Sequence, residues 1–222
     1  MKLVHPEIPY ALIESDNKCS EWIIENPETF SSYLQEMMQQ CSGEDGRFVL
    51  SQGAKELDIA KNVEVIFDIF SVDCNDRRIL TKLYAQLEQL AYGEMFYVRT
   101  QELAQRLQTY VMDLEQETDH ILDMEQMLDI PAVLKALGVK FESLEEDFFE
   151  RMIRYMKLVS SILNKKLFIL INARSFISDA NMQMLIDELK YQNFKILFVE
   201  SFARDCIPSV QRCIIDKDNC VI

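Results

Sequence analysis

The spacing of apolar residues changes twice along the chain and divides it into three stretches. The opening stretch has short apolar runs at Lys2-Leu3-Val4, Ala11-Leu12-Ile13 and Arg47-Phe48-Val49-Leu50. Between the last two, Asn26 and Pro27 give a helix start, with Asn26 as N-cap and proline at the first helical position. Phe30, Tyr33, Leu34, Met37, Met38 and Cys41 then recur at helical spacing, and Gly43 is a natural stop. Val63, Val65, Phe67 and Ile69 alternate with Glu64 and Asp68, which predicts a half-buried strand.

From about residue 76 the period becomes helical. Ile79, Leu80, Leu83, Tyr84, Leu87 and Leu90 predict one amphipathic helix. Leu103, Leu107, Tyr110, Leu114, Ile121, Met124 and Leu128, spaced by threes and fours, predict a second with a hairpin or coiled-coil seam. Pro131 opens a short helix ending near Gly138. A fourth helix is expected from about Leu144, with Glu145, Glu146 and Asp147 in its first turn, where the helix dipole favours acids. Its apolar side carries Phe148, Phe149, Met152, Ile153, Met156, Val159 and Leu163.

The closing stretch alternates elements again. Leu167-Phe168-Ile169-Leu170-Ile171 is a continuous apolar run, as in a strand covered on both faces. Ser178 caps a helix carrying Met182, Leu185, Ile186 and Leu189, and Phe194–Val199 is a second strand. This βαβ unit predicts two parallel strands with a right-handed crossover. A short strand is expected at Cys213-Ile214-Ile215. The simplest architecture is a discontinuous α/β domain of residues 1–70 plus 158–222, interrupted by helices over 71–157.

Composition supports a substantial core, since 49% of the 222 residues are hydrophobic and Gly and Pro number only 5 each. The first ten residues lack the apolar run of a secretory signal. No stretch of about 18 apolar residues exists to span a membrane. The six cysteines (Cys19, Cys41, Cys74, Cys206, Cys213, Cys220) form no Cys-x-x-Cys pair and read as reduced thiols, mostly core filler, in a cytoplasmic protein. With only His5 and His120 besides them, a zinc site is not expected.

The chemistry of catalysis is missing. There is no Gly-x-x-x-x-Gly-Lys-Ser/Thr loop, and Asn172-Ala173-Arg174-Ser175 after the first strand of the βαβ unit has no glycine. A Gly-x-Ser-x-Gly elbow is also absent, and two isolated histidines leave a nucleophile without a base. The expectation is a protein that is not an enzyme.

Charge is uneven. Against 23 basic residues stand 37 acidic ones, a formal net charge of −14. Residues 107–134 contain no Lys or Arg but hold Asp113, Glu115, Glu117, Asp119, Asp123, Glu125 and Asp129. On a continuous helix Glu115, Asp119 and Asp123 would stack on one face, Asp113 and Glu117 would pair likewise, and Glu117 would fall in the apolar seam. Three readings stay open here: a solvated acidic face, a dock for a basic partner, or a site for a hard cation such as Ca²⁺. The EF-hand pattern is absent. Basic residues gather elsewhere: Arg77, Arg78 and Lys82, then Lys135 and Lys140, then Arg151, Arg154 and Lys157, then Lys165 and Lys166. Helix-end charges and snorkelling stems account for most of these. As one surface they would suit the backbone of duplex DNA, whereas the lack of interleaved aromatics argues against base stacking on single strands.

Four segments carry a resemblance: VEVIFDIFSVDCNDRRILTKLYAQLEQL (63–90), LDMEQMLDIPAVLKALGVKFE (122–142), ILNKKLFILINARSFIS (162–178) and NFKILFVE (193–200). In this order and spacing they resemble the small DNA-end-binding adaptation protein of type II-A CRISPR systems. The resemblance implies a P-loop-like α/β head lacking a nucleotide site, with a long inserted α-helical leg domain. It also implies a homotetrameric ring, calcium holding the legs, and double-stranded DNA ends entering a lysine-lined hole without sequence preference. Spacer acquisition alongside integrase proteins and an effector nuclease would be its setting. Asp123 and Glu125 match the family's calcium carboxylates, and Asp119 and Glu117 are the further candidates beside them. Where members place another acid just upstream, this chain has His120 and Ile121. Lys135, Lys140, Lys165 and Lys166 match DNA-contact positions, to which the stripe of Arg151 and Arg154 is added. The rival expectations are an acidic protein–protein adaptor with no intrinsic DNA binding, and a degenerate NTPase.

Overall fold

The computed structural model describes residues 1–207 and 210–222. The order of elements is β1 (Lys2–Val4), β2 (Cys19–Ile24), α1 (Pro27–Cys41), β3 (Val49–Gln52), β4 (Lys55–Leu57), α2 (Ile59–Asn62) and β5 (Val63–Ile66). Next come α3 (Arg77–Ala91), α4 (Tyr97–Gln116), α5 (Ile130–Ala136) and α6 (Phe148–Leu163). The chain ends with β6 (Leu167–Ile171), a 3₁₀ turn (Ala173–Ser175), α7 (Asp179–Leu189), β7 (Lys195–Glu200) and β8 (Gln211–Ile215). It forms two compact units, Met1–Cys74 with Leu144–Ile222, and Asn75–Ser143.

In the first unit five strands run in the order β5-β6-β7-β2-β8, every neighbouring pair parallel. A second sheet, β1-β3-β4, is antiparallel. Parallel strands need both faces covered, which explains the continuous apolar runs. Trp22, Ile24, Leu167, Ile169, Ile171, Leu197 and Val199 share one core with Tyr33 and Met37 of α1 and Leu3 and Leu50 of the small sheet. The alternate residues, Phe168, Leu170, Ile196 and Phe198, point to the opposite face and are equally buried. Phe168 meets Phe194 edge to face, with ring centroids 4.8 Å apart. Apolar faces of α6 (Met152, Met156, Val159) and α7 (Met182, Leu185, Leu189) are buried in this unit.

Local signals place many elements where the residues direct. The Asn26 carboxamide accepts from the backbone N–H groups of Glu28 and Thr29 at the start of α1, and Ser178 caps α7 through Asn181 N–H. Gly43, with φ +94°, follows the end of α1. Strands β6 and β7 are parallel neighbours joined by α7, and β8 covers Cys213–Ile215.

Several features differ from expectation. Cys19–Ile24 forms a fully buried strand between β7 and β8, although its Cys-Ser-Glu start reads as polar. The alternation over residues 63–69 gives way to β5, which stops at Ile66. There Glu64 is buried because it accepts the Tyr155 hydroxyl of α6 at 2.9 Å, while Phe67 is exposed. Helix α6 begins at Phe148, with Asp147 as N-cap and Glu145 and Glu146 before it. The expected edge at 157/158 falls inside α6, whose buried methionines lie in the first unit, so the helical unit spans Asn75–Ser143. Finally, Cys19, Cys74 and Cys213 are buried, but Cys206 and Cys220 are exposed rather than core filler. No helix among the described residues is long and apolar enough to cross a membrane.

Candidate functional site

In parallel α/β sheets ligands are held where strands hand over to helices at the C-terminal edge. Here the β2-to-α1 connection is Glu25-Asn26 leading into Pro27, and the β6-to-α7 connection starts at Asn172, which adopts a left-handed conformation (φ 51°). Neither holds a glycine, so neither offers backbone N–H groups in the open arrangement of a phosphate cradle. Asn172 Oδ1 instead accepts Ser201 N–H at 2.9 Å and ties the loop to the end of β7. Arg174, which on an exposed loop could meet an anion, is buried, and its Nε donates to Glu21 Oε1 of β2 at 2.7 Å. The other oxygen of Glu21 accepts from Arg212 of β8 at 2.6 and 2.9 Å.

Glu200 completes this cluster. Its Oε1 accepts the Arg174 backbone N–H at 3.1 Å, and its buried Oε2 has no hydrogen-bond partner among the described residues. Burial first, opposed by that hydrogen bond and reinforced by the Glu21 charge, pushes the Glu200 carboxyl up to about 7. Arg174 and Arg204 pull the other way. Since the folded protein holds this proton more tightly than the unfolded chain, the stabilisation is complete below the ordinary value of 4.5 and lost as pH rises through about 7. Glu200→Gln is expected to flatten the fall in unfolding free energy between pH 5 and 8, which denaturant titrations across that range measure. An unchanged pH profile in the variant would refute the assignment.

In the second unit, three side chains hold the chain on either side of α5. Tyr84 of α3 donates to Val139 O at 2.6 Å, Tyr92 donates to Leu128 O, and Gln108 of α4 donates to the carbonyls of Glu125 and Gln126, each at 3.3 Å. The long helix expected through Leu128 therefore ends at Gln116, with Glu117 as its C-cap. Asp113 and Glu115 crowd negative charge where the dipole is already negative, no base lies in the last turn, and Thr118 and Asp119 are poor helix formers. Glu115 Oε1 then accepts Leu122 N–H at 2.9 Å and turns the chain back. The expected stack of Glu115, Asp119 and Asp123 does not form, and Glu117 is exposed rather than set in a seam.

All four expected calcium ligands, Glu117, Asp119, Asp123 and Glu125, are exposed on this non-helical segment. Asp123 Oδ1 accepts Met124 N–H at 2.9 Å. Among the described residues no three His, Cys, Asp or Glu side chains are grouped to hold a metal ion. The carboxylates of one chain as folded therefore do not by themselves fit a calcium site.

The six expected DNA-contact residues separate into two kinds. Lys135 at the end of α5 and Lys140 beyond Gly138 are exposed, with no carboxylate partner among the described residues. The other four are engaged within the first unit. Lys165 donates to the carbonyls of Ala60 and Val63 at 2.6 and 2.7 Å and is 3.9 Å from Glu64. Lys166 lies 3.4 Å from Gln52 Oε1, Arg151 donates to Phe70 O at 3.2 Å, and Arg154 pairs with Glu146 at 3.0 Å. The Glu21–Arg174–Arg212 cluster, absent from sequence expectations, has no local signal: its members lie on three separate elements.

These features define a class: a discontinuous parallel α/β unit with glycine-free strand-to-helix turns, interrupted by a separate helical unit. Residues 40–219 match the family described as CRISPR-associated protein (Cas_Csn2). The chain is 23% identical over 199 residues to CRISPR-associated protein Csn2 of Enterococcus faecalis, covering 87% of this chain and 89% of that protein. It is 23% identical over 165 residues to the protein of the same description from Streptococcus agalactiae, covering 72% and 71%. The chain belongs to the Csn2 family of type II-A CRISPR-associated proteins.

Proposed function

We propose that this chain is a non-catalytic, cytoplasmic binder of double-stranded DNA ends that acts without sequence preference, as a ring-shaped homotetramer, during CRISPR spacer acquisition. The first unit corresponds in this proposal to a P-loop-like head without a nucleotide site, and the second to the leg. Integrase proteins and the effector nuclease are its expected partners. The observation that carries the proposal is the division between engaged and free cations. Lys165, Arg151 and Arg154 are bound to groups of the fold, whereas Lys135 and Lys140 stand free in the Asn75–Ser143 unit. On a molecule of net charge −14, contact with phosphate requires such unpaired cations to be gathered by assembly. Helix α4 supports assembly, because Val98, Leu103, Leu107, Tyr110, Met112 and Leu114 remain exposed along it.

Calcium belongs to the proposal as the ion that would gather Glu117, Asp119, Asp123 and Glu125. Since these do not converge within one chain, calcium uptake is expected to accompany assembly rather than precede it. Light scattering with calcium should give about 104 kDa, four copies of the 26.0 kDa chain, and chelator should lower that mass. In a gel shift, linear duplex is expected to be retained and closed circles released, with retention weakening as salt rises. Equal retention of circles, or a monomer indifferent to calcium, would overturn the proposal. The exposed acidic segment favours one alternative, an adaptor that grips a basic partner protein. A pull-down that survives nuclease, with no shift of pure DNA, would establish that instead.

A further inference from the structure

A cleft of about 810 Å³ opens between α3 and α5 in the Asn75–Ser143 unit, within the size range of small-molecule sites, roughly 300–1,000 Å³. Leu80, Pro131 and Ala132 give it apolar lining, and Tyr84 adds an aromatic ring. The Tyr84 hydroxyl is already bound to Val139 O, which fixes that side chain. Arg77 and Lys135 bring positive charge from the two helices, and Asp129 is the one acid among the lining residues. Asp129 Oδ1 is occupied as the N-cap of α5, accepting Ala132 N–H at 2.9 Å.

Arg77 is the telling residue. It opens α3, where the helix dipole is positive and a cation is unfavourable. Its neighbour Arg78 has the same problem and solves it by pairing with Asp76 at 3.3 Å. Arg77 has no such partner among the described residues and remains exposed at the cleft. An uncompensated guanidinium at the disfavoured end of a helix, lining one cleft with a lysine and several apolar side chains, calls for an anion carried on a flat apolar body. A guanidinium and an ammonium together match a phosphate, the first by paired N–H donors and the second as a point charge.

We propose that this cleft seats a nucleoside 5′-monophosphate, presented by the 5′-terminus of a DNA strand, with Arg77 and Lys135 on the phosphate and the apolar lining against the nucleoside. The strand-terminus part rests on the duplex-end function proposed above. It makes the chemical state of the end, and not only its existence, a determinant of binding.

The test uses the full chain in two arms. Calorimetric titrations compare dAMP with deoxyadenosine, and fluorescence anisotropy compares blunt duplexes bearing 5′-phosphate with the same duplexes bearing 5′-hydroxyl. The expected result is roughly tenfold tighter binding of each phosphorylated form, the scale of one charge-assisted contact. Arg77→Gln should erase both differences while circular dichroism and melting stay unchanged, and Arg77→Lys should keep part of each. Equal binding of dAMP and deoxyadenosine, or an Arg77→Gln variant that still discriminates, would overturn the site. A preference for dAMP with no effect of the duplex 5′-group would make the ligand a free mononucleotide and overturn the strand-terminus assignment. Failure to bind duplex in either form would sink the duplex-end function and the strand-terminus assignment, while the dAMP arm would still decide the cleft.

Discussion

Replacing Arg174 with methionine is expected to lower the unfolding free energy of the first unit by about 3–5 kcal/mol. Arg174 and Glu21 are each only 2% exposed at the side chain, and their contact is 2.7 Å. Removing the guanidinium leaves Glu21 Oε1 without that donor inside the sheet, while Arg212 can reach only the other oxygen. The cost arises less from losing an attraction than from leaving a buried carboxylate half paired. The double variant Glu21→Met with Arg174→Met should therefore be more stable than the sum of the single losses predicts. Trp22, the only tryptophan, is buried beside Glu21 on β2, so its fluorescence reports unfolding of this unit. A single-variant loss below about 1 kcal/mol would mean that the pair is solvated, since exposed pairs contribute on that scale.

Phe168→Ala is the second change expected to act strongly, with a loss of about 3–5 kcal/mol from transfer and cavity terms. Phe168 is fully buried near the start of β6 and packs edge to face on Phe194. Both neighbours of β6 are paired strands, which leaves the backbone little freedom to collapse into the void. Phe168→Leu should cost markedly less because it keeps most of the volume. Denaturant titration followed through Trp22 separates the two variants, and equal losses would show that volume is not the governing quantity. By contrast, Lys135→Gln and Lys140→Gln should move stability by no more than about 0.5 kcal/mol, so that any change in DNA retention can be read as a binding effect.

These contrasts separate what the residues announce from what the fold decides. Continuous apolar runs, helix caps and periodic stripes are local, and they place α1, α3, α5, β6, α7, β7 and β8 because the forces that select those elements act within a few residues. The order of four segments along the chain likewise suffices for membership of the Csn2 family. The strand Cys19–Ile24 is different. Its Glu21 is tolerable inside a sheet because Arg174, 153 residues away, and Arg212, 191 residues away, pair with its two oxygens. Glu64 depends in the same way on Tyr155, 91 residues further on.

The candidate site divides along the same line. Sequence alone picks out the acidic segment and the basic residues, since charge is visible residue by residue. Only the tertiary structure shows that the chain turns back beyond Gln116, so that the carboxylates do not stack, and that Lys165 and Arg154 are held by the fold while Arg77, Lys135 and Lys140 are not. The reason is physical: a helix pattern reports which side chains could share a face, but whether a charge is free depends on partners brought close by packing between distant segments.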